Sequence, residues 1–254
     1  MNLLVVGAGE IGRWVADTLR AADALSGLAF ADLDAELAAD AAASRDARRV
    51  STDTDERFDA VCLAVPMSVV PDAVAAYADN ADRAMFDVSG VMAGPLAAMR
   101  EHVDGERASF HPLFAPPRVP GNVAAVVDEA GPVVDAVREA IEAGGNDVFE
   151  TTTAEHDAAM ETVQAGAHAA VLAWALAGDD VREEFHTPVS AALQELVDTV
   201  TEGEASVYAE IQAAFDGADD VAAAARELAD ADPEAFERRY EAAAEATPDR
   251  RRYD

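Results

Sequence analysis

The sequence predicts an α/β fold, a doubly wound and mainly parallel sheet, followed by an all-helical C-terminal half. Two observations predict it. Short apolar runs alternate with Ala-rich stretches of helical spacing through the first 150 residues, separated by short turns, as in a sheet covered on both faces. From Thr151 the strand signal stops and only helical periodicity remains.

The elements follow in order. Residues 3–6 form a continuous apolar run that stops at Gly7, and 13–24 then carry helical spacing through Trp14, Val15, Thr18 and Leu19. A second strand, 28–31, ends at Asp32 before a helix over 35–43. The third strand, 60–65, is stopped by Pro66 and leads to a helix at 70–78, a strand at 84–88 and a short helix at 95–101. Later strands are expected at 109–110, 124–127 and 147–150, with a helix at 132–143 among them. Thr152 and Glu155 then form a capping box that opens one long helix over 155–177. Gly178 ends it, and helices at 188–200, 206–214, 219–229 and 233–246 complete the chain. The polar tail from about 247 reads as mobile. Two domains are expected, 1–150 and 151–254.

Composition narrows the function. Among 254 residues there are 50 Asp or Glu against 18 basic residues, all of them Arg, for a net charge of −32. Without Lys there is no Schiff base, no phosphate-loop lysine and no lysine general base. A polyanion offers too few cations for nucleic acid or an anionic membrane surface. Carboxylates with Arg in place of Lys suit a high-salt cytoplasm, where a Debye length of about 3 Å at 1 M salt screens the self-repulsion. At 51% apolar residues the chain is no disordered acidic tail. Cys62 has no internal partner, which suggests a reducing compartment. No apolar run is long enough to span a bilayer, and no basic segment precedes the first apolar stretch as in a signal peptide. No His, Cys and Asp cluster has metal-site spacing.

The segment Gly7-Ala8-Gly9-Glu10-Ile11-Gly12 is a G-x-G-x-x-G placed between the first strand and the first helix. Its glycines serve a tight turn, close approach of pyrophosphate, and helix–strand packing, and the helix N-terminus supplies N–H groups for phosphate. Asp32, twenty residues after Gly12, can accept hydrogen bonds from a ribose diol. No Arg follows in Ala31-Asp32-Leu33-Asp34, so a 2′-phosphate would meet carboxylates and NAD is expected over NADP. Ala64, Val65 and Pro66 end the third strand at the same crevice and border the cofactor. This is a Rossmann-type dinucleotide domain.

Of five histidines, His111 lies in His111-Pro112-Leu113-Phe114, just after a predicted strand and so on the cofactor side of the sheet. Here the sequence resembles the prephenate/arogenate dehydrogenase family of tyrosine biosynthesis. The segment from Asp87 to Leu96 resembles the family's D-x-x-S-V-K-x-x-P-L, His111–Phe114 its HPMFG, and Glu155-His156-Asp157 its E-H-D, while His168 falls at the spacing of a substrate-binding His. The likeness spans about residues 1–215.

The resemblance implies NAD-dependent oxidative decarboxylation of prephenate to 4-hydroxyphenylpyruvate, with His111 as the catalytic base and His168 contributed by the helical half. Glu161 and Gln164 share the face of His168 if the helix is continuous. Three positions depart from the family. Gly90 stands for its Ser, with Ser89 one position earlier as a substitute hydroxyl; Met92 stands for its Lys; Ala191 stands for its carboxylate-binding Arg. Arg118, and after it Arg182, are the candidates to take over the carboxylate. His156 is expected to order the domain junction. Arogenate as substrate, another two-domain NAD(P) dehydrogenase, and a non-catalytic NAD-binding module are the alternatives. Hydroxyacid dehydrogenases of similar plan need a Lys this chain lacks. The apolar faces of the helical half, with Val163, Leu172, Leu176, Leu193, Leu196 and Val197, are expected to form a homodimer.

Overall fold

A computed structural model describes residues 1–115, 118–179 and 181–246. The polar tail from Thr247, expected to be mobile, lies outside them. Two compact units meet between Ala159 and Met160.

The first unit is built on eight strands, β1 (Asn2–Val6), β2 (Gly27–Ala31), β3 (Arg48–Arg49), β4 (Phe58–Leu63), β5 (Ala81–Asp87), β6 (Glu106–Pro112), β7 (Asn122–Glu129) and β8 (Asp147–Glu150). Their order in the sheet is β3-β2-β1-β4-β5-β6-β7-β8. All neighbours are parallel except β6 and β7, which run antiparallel. The chain therefore reverses its winding at β1, and the crevice beyond the carboxyl ends of β1 and β4 is the switch point where ligands of such sheets bind.

Five helices cover this sheet: α1 (Glu10–Ala21), α2 (Ala35–Ala43), α3 (Val70–Tyr77), α4 (Ala93–His102) and α5 (Pro132–Ala143). Alternation along the strands sorts them into two layers. Leu3, Val5, Phe30, Phe86 and Phe110 pack with Trp14, Leu19, Ala38, Val134 and Ile141 of α1, α2 and α5. Leu4, Val6, Val61 and Met85 pack on the other face with Val70, Val74, Leu96 and Met99 of α3 and α4. Both faces are thus buried, which explains why these strands read as unbroken apolar runs.

A sixth helix, α6 (Thr153–Met160), starts at Thr152, whose hydroxyl accepts the Glu155 N–H at 3.2 Å. Glu155 closes the cap on the Thr151 hydroxyl, at 3.0 Å. Residues 151–159 are tied to the sheet unit, for the Thr151 N–H donates to the Ala125 carbonyl at 3.0 Å.

The second unit is helical: α7 (Ala167–Ala177), α8 (Pro188–Thr201), α9 (Ala205–Ala214), α10 (Gly217–Ala229) and α11 (Pro233–Ala246). The long helix expected over 155–177 is interrupted by a π-helical stretch, Glu161–Gly166. A side chain at Gly217 would collide with the Glu161 carbonyl, so glycine lets the start of α10 abut this stretch. Gln212 Nε2 caps the Ala165 carbonyl there at 2.9 Å. Among the described residues no helix is long and apolar enough to cross a membrane.

Candidate active site

The turn after β1 carries glycines with different duties. Gly7 has φ 98°, a conformation that side chains disfavour, and a Cβ there would strike the Ala64 carbonyl beyond β4. A Cβ on Gly12 would strike the Gly7 carbonyl. The protein itself requires both. Gly9 differs, because a Cβ there would meet nothing within 4 Å. Its small size leaves open space over the N-terminus of α1, where Gly9 caps the helix without a side-chain bond. Backbone N–H groups and the helix dipole make that space favourable for phosphate.

The other predicted cofactor residues gather around this turn. Asp32, just past β2, accepts the Ala8 N–H at 2.7 Å and the Asp34 N–H at 2.8 Å. Between the two aspartates Leu33 is 94% exposed, an apolar platform that sequence reading did not single out. Glu10 and Ile11 open α1. The Ala64 N–H donates to the Val6 carbonyl at 2.8 Å, which sets Ala64, Val65 and Pro66 beside the glycine turn. Arg13 spends its guanidinium on the Ala8 carbonyl, at 2.8 Å, and on the Leu37 carbonyl.

Two strands over, the ends of β5 and β6 carry buried polar groups. Asp87 pairs in register with Ser109, and His111 follows two positions along β6 on the same face. The Asp87 carboxyl is fully buried; burial pushes its pKa up to about 6, against the lowering effect of its bonds to Ser89. Ser89 Oγ lies 2.6 Å from Asp87 Oδ1 and 2.9 Å from the Val91 carbonyl, so the hydroxyl is turned inward. At Gly90 a Cβ would lie 2.8 Å from Met67 Sδ and 3.6 Å from His111 Nε2. The Nε2 edge of His111 therefore faces Gly90.

The opposite edge of the ring makes the contact that the sequence reading missed. His111 Nδ1 is 2.9 Å from His156 Nε2, and His156 Nδ1 is 2.8 Å from Asp157 Oδ1. The imidazoles are 7% and 2% exposed and meet edge to face, 5.1 Å between centroids. Asp157 also accepts the N–H groups of Met92 and Ala93, both at 3.2 Å, at the start of α4. These bonds hold its carboxyl below the usual range despite partial burial. Burial, and then the neighbouring His156, lower the pKa of His111 to about 3, while Asp157 acts in the opposite sense. The E-H-D triplet was the available signal, but nothing in its spacing reveals that its His reaches back to β6.

The remaining predicted residues each lie within their own unit. Arg118 is exposed on a turn where its N–H donates to the Ala115 carbonyl at 2.8 Å. Gln164 and His168 belong to the second unit, half-buried. His168 stacks edgewise on Tyr208 with 4.8 Å between centroids, and burial lowers its pKa. The shared face expected for Glu161, Gln164 and His168 assumed an unbroken α-helix. The π-helical stretch shifts that phase and leaves Glu161 exposed. Arg182 stacks on Phe185 with its guanidinium carbon 4.9 Å from the ring centroid.

A glycine turn at the switch point, an acid at the end of β2 and a buried imidazole at the end of β6 define a Rossmann-type oxidoreductase. No family model matches the sequence. Over 234 residues, 85% of this chain and 78% of the relative, it is 32% identical to 4-amino-4-deoxyprephenate dehydrogenase of Streptomyces pristinaespiralis. The chain belongs to the prephenate/arogenate dehydrogenase family. Its fold is that of prephenate dehydrogenase from Aquifex aeolicus, solved with hydroxyphenyl propionate and NAD+ (TM-score 0.72, 16% identity, 95% of this chain and 92% of that one). It is also that of Synechocystis arogenate dehydrogenase (TM-score 0.61, 16% identity, 91% and 90%).

Proposed function

We propose that this protein catalyses the NAD-dependent oxidative decarboxylation of prephenate to 4-hydroxyphenylpyruvate, in a cytoplasm of high salt. The observation that carries the reading is that His111 ends β6 on the same edge of the sheet as the glycine turn after β1, the two strands being parallel through β4 and β5.

The residues fit NAD. Gly9 would leave room for pyrophosphate beside the N–H groups that open α1, Asp32 would accept hydrogen bonds from the ribose diol, and the exposed Leu33 would offer an apolar side chain to the base. Bound there, NAD supplies the hydride acceptor. His111 takes the proton of the ring 4-hydroxyl as hydride leaves the same carbon. The carboxylate on the opposite ring carbon then departs as CO2, its bonding pair completes the aromatic ring, and His111 returns the proton to the phenolate. His168 and Gln164 are the further substrate-binding candidates and Arg118 is the candidate for a carboxylate; the Ser89 hydroxyl, expected to serve as a substitute, is instead spent on Asp87 and the Val91 carbonyl.

A second reading concerns the ring substituent. The Streptomyces relative is a 4-amino-4-deoxyprephenate dehydrogenase, and here Gly90 replaces the family's Ser beside His111. An amine can donate to His111 as a hydroxyl does, so the amino compound is a candidate substrate. NADH formation in molar KCl, measured with prephenate, arogenate and 4-amino-4-deoxyprephenate in parallel, ranks the three. Turnover with none of them overturns the proposal.

We also propose a homodimer formed by the helical unit. Leu176 is 87% exposed and Val189 71%, with Val163, Leu196 and Val207 also open. An apolar surface of this extent calls for a partner. A second copy carries the same −32 charge, so association should strengthen as salt rises.

A further inference from the structure

We infer that Asp157 and His156 are positioning residues that set the tautomer of His111, so that its Nε2 carries the lone pair. The inference rests on the proposed role of His111 as the base and concerns how the base is prepared.

Asp157, held ionised by its bonds, can only accept from His156 Nδ1 at 2.8 Å, so that nitrogen bears a hydrogen. In a neutral imidazole the other nitrogen is then an acceptor. His156 Nε2 thus accepts from His111 Nδ1 at 2.9 Å, and the lone pair of His111 falls on Nε2. That edge faces Gly90, just past the carboxyl end of β5.

The chain also answers a difficulty of the site. A base buried this deeply resists becoming a cation. When Nε2 takes the substrate proton, the Nδ1–H bond to His156 strengthens and the Asp157 carboxylate faces the new charge through one imidazole. The proton taken up stays on Nε2 and none need pass to Asp157. The carboxylate acts by orientation and charge alone.

Nitrogen-15 spectra of the imidazoles in the full chain at molar KCl test the tautomers without any turnover. Both His111 and His156 are expected to show Nδ1 protonated and Nε2 bare. A His111 protonated at Nε2, or a His156 protonated at both nitrogens, overturns the inference. In the variant Asp157→Asn, which can present an amide donor to His156, kcat should fall at least tenfold with KM within threefold and with His111 shifted toward the Nε2-protonated form. His156→Gln, which breaks the ring-to-ring relay, should lower kcat similarly, whereas retained turnover would refute the relay. His111→Asn separates the two readings: if it stays active, the base assignment fails; if it alone is inactive while both other variants turn over normally, only the relay fails.

Discussion

At the scale of single residues, the chemistry is decided by burial. His111 is an ordinary imidazole in the sequence, and a pKa near 6.5 suffices for a base at neutral pH. In the fold it lies against another buried histidine, and its pKa drops to about 3. It stays neutral at all working pH values, at the expense of basicity. Replacing it with Asn should lower kcat by about 10²-fold or more, the range of general acid–base contributions, as steady-state kinetics would register. Asp87 moves the other way. Its folded pKa, about 6, lies above the ordinary value of 3.8, so the stability it contributes is full below pH 3.8 and lost as pH rises through 6. Two units correspond to about 3 kcal/mol. Asp87→Asn should therefore gain on the parent chain by up to that amount between pH 4 and pH 7, as read from denaturant melts across that range. Arg118→Ala should raise KM at least tenfold, about 1.4 kcal/mol, and an unchanged KM would remove Arg118 from the substrate.

At the scale of elements, the glycine turn separates folding from binding. Gly7→Ala meets both an unfavourable φ and the Ala64 carbonyl, and should destabilise the sheet unit by more than about 1 kcal/mol. Gly9→Ala adds a Cβ that meets no protein atom within 4 Å, in the space where pyrophosphate is proposed to lie. It should leave the melting temperature within a few degrees and weaken NAD binding tenfold or more, measured by fluorescence titration. The positions of most strands along the chain, and their mainly parallel arrangement, were legible, because a sheet buried on both faces writes itself as apolar runs; their order and register came only from the structure. The two-residue β3 was not, since Arg48 and Arg49 are exposed and carry no such pattern. The π-helical stretch was not either. It depends on the close approach of Gly217, fifty residues on, and no local periodicity encodes that.

At the scale of the whole molecule, charge sets the conditions of work. Many of the arginines are committed to carboxylates, as in Arg45 with Asp17 at 2.6 Å, Arg48 with Glu56 at 2.8 Å and Arg100 with Asp128 at 2.6 Å. A large excess of acid remains. Removing salt should loosen the protein through self-repulsion, and adding molar KCl should restore it. Sedimentation in molar KCl should find a dimer, and a monomer there at micromolar concentration would contradict the homodimer.

By itself the sequence determined the winding of the sheet, the glycine turn and Asp32 at the next strand end, because each is written within a few residues of chain and obeys a local rule of period or turn. It also marked His111, through four consecutive residues of a family motif. Only the tertiary structure decided what that imidazole touches. His156 is forty-five positions away, and the bond between them exists because β6 and the first turns of α6 are brought to one place by the packing of the sheet unit. Hydrogen-bond partners across such distances depend on the packing of intervening elements, and no short window of sequence contains that.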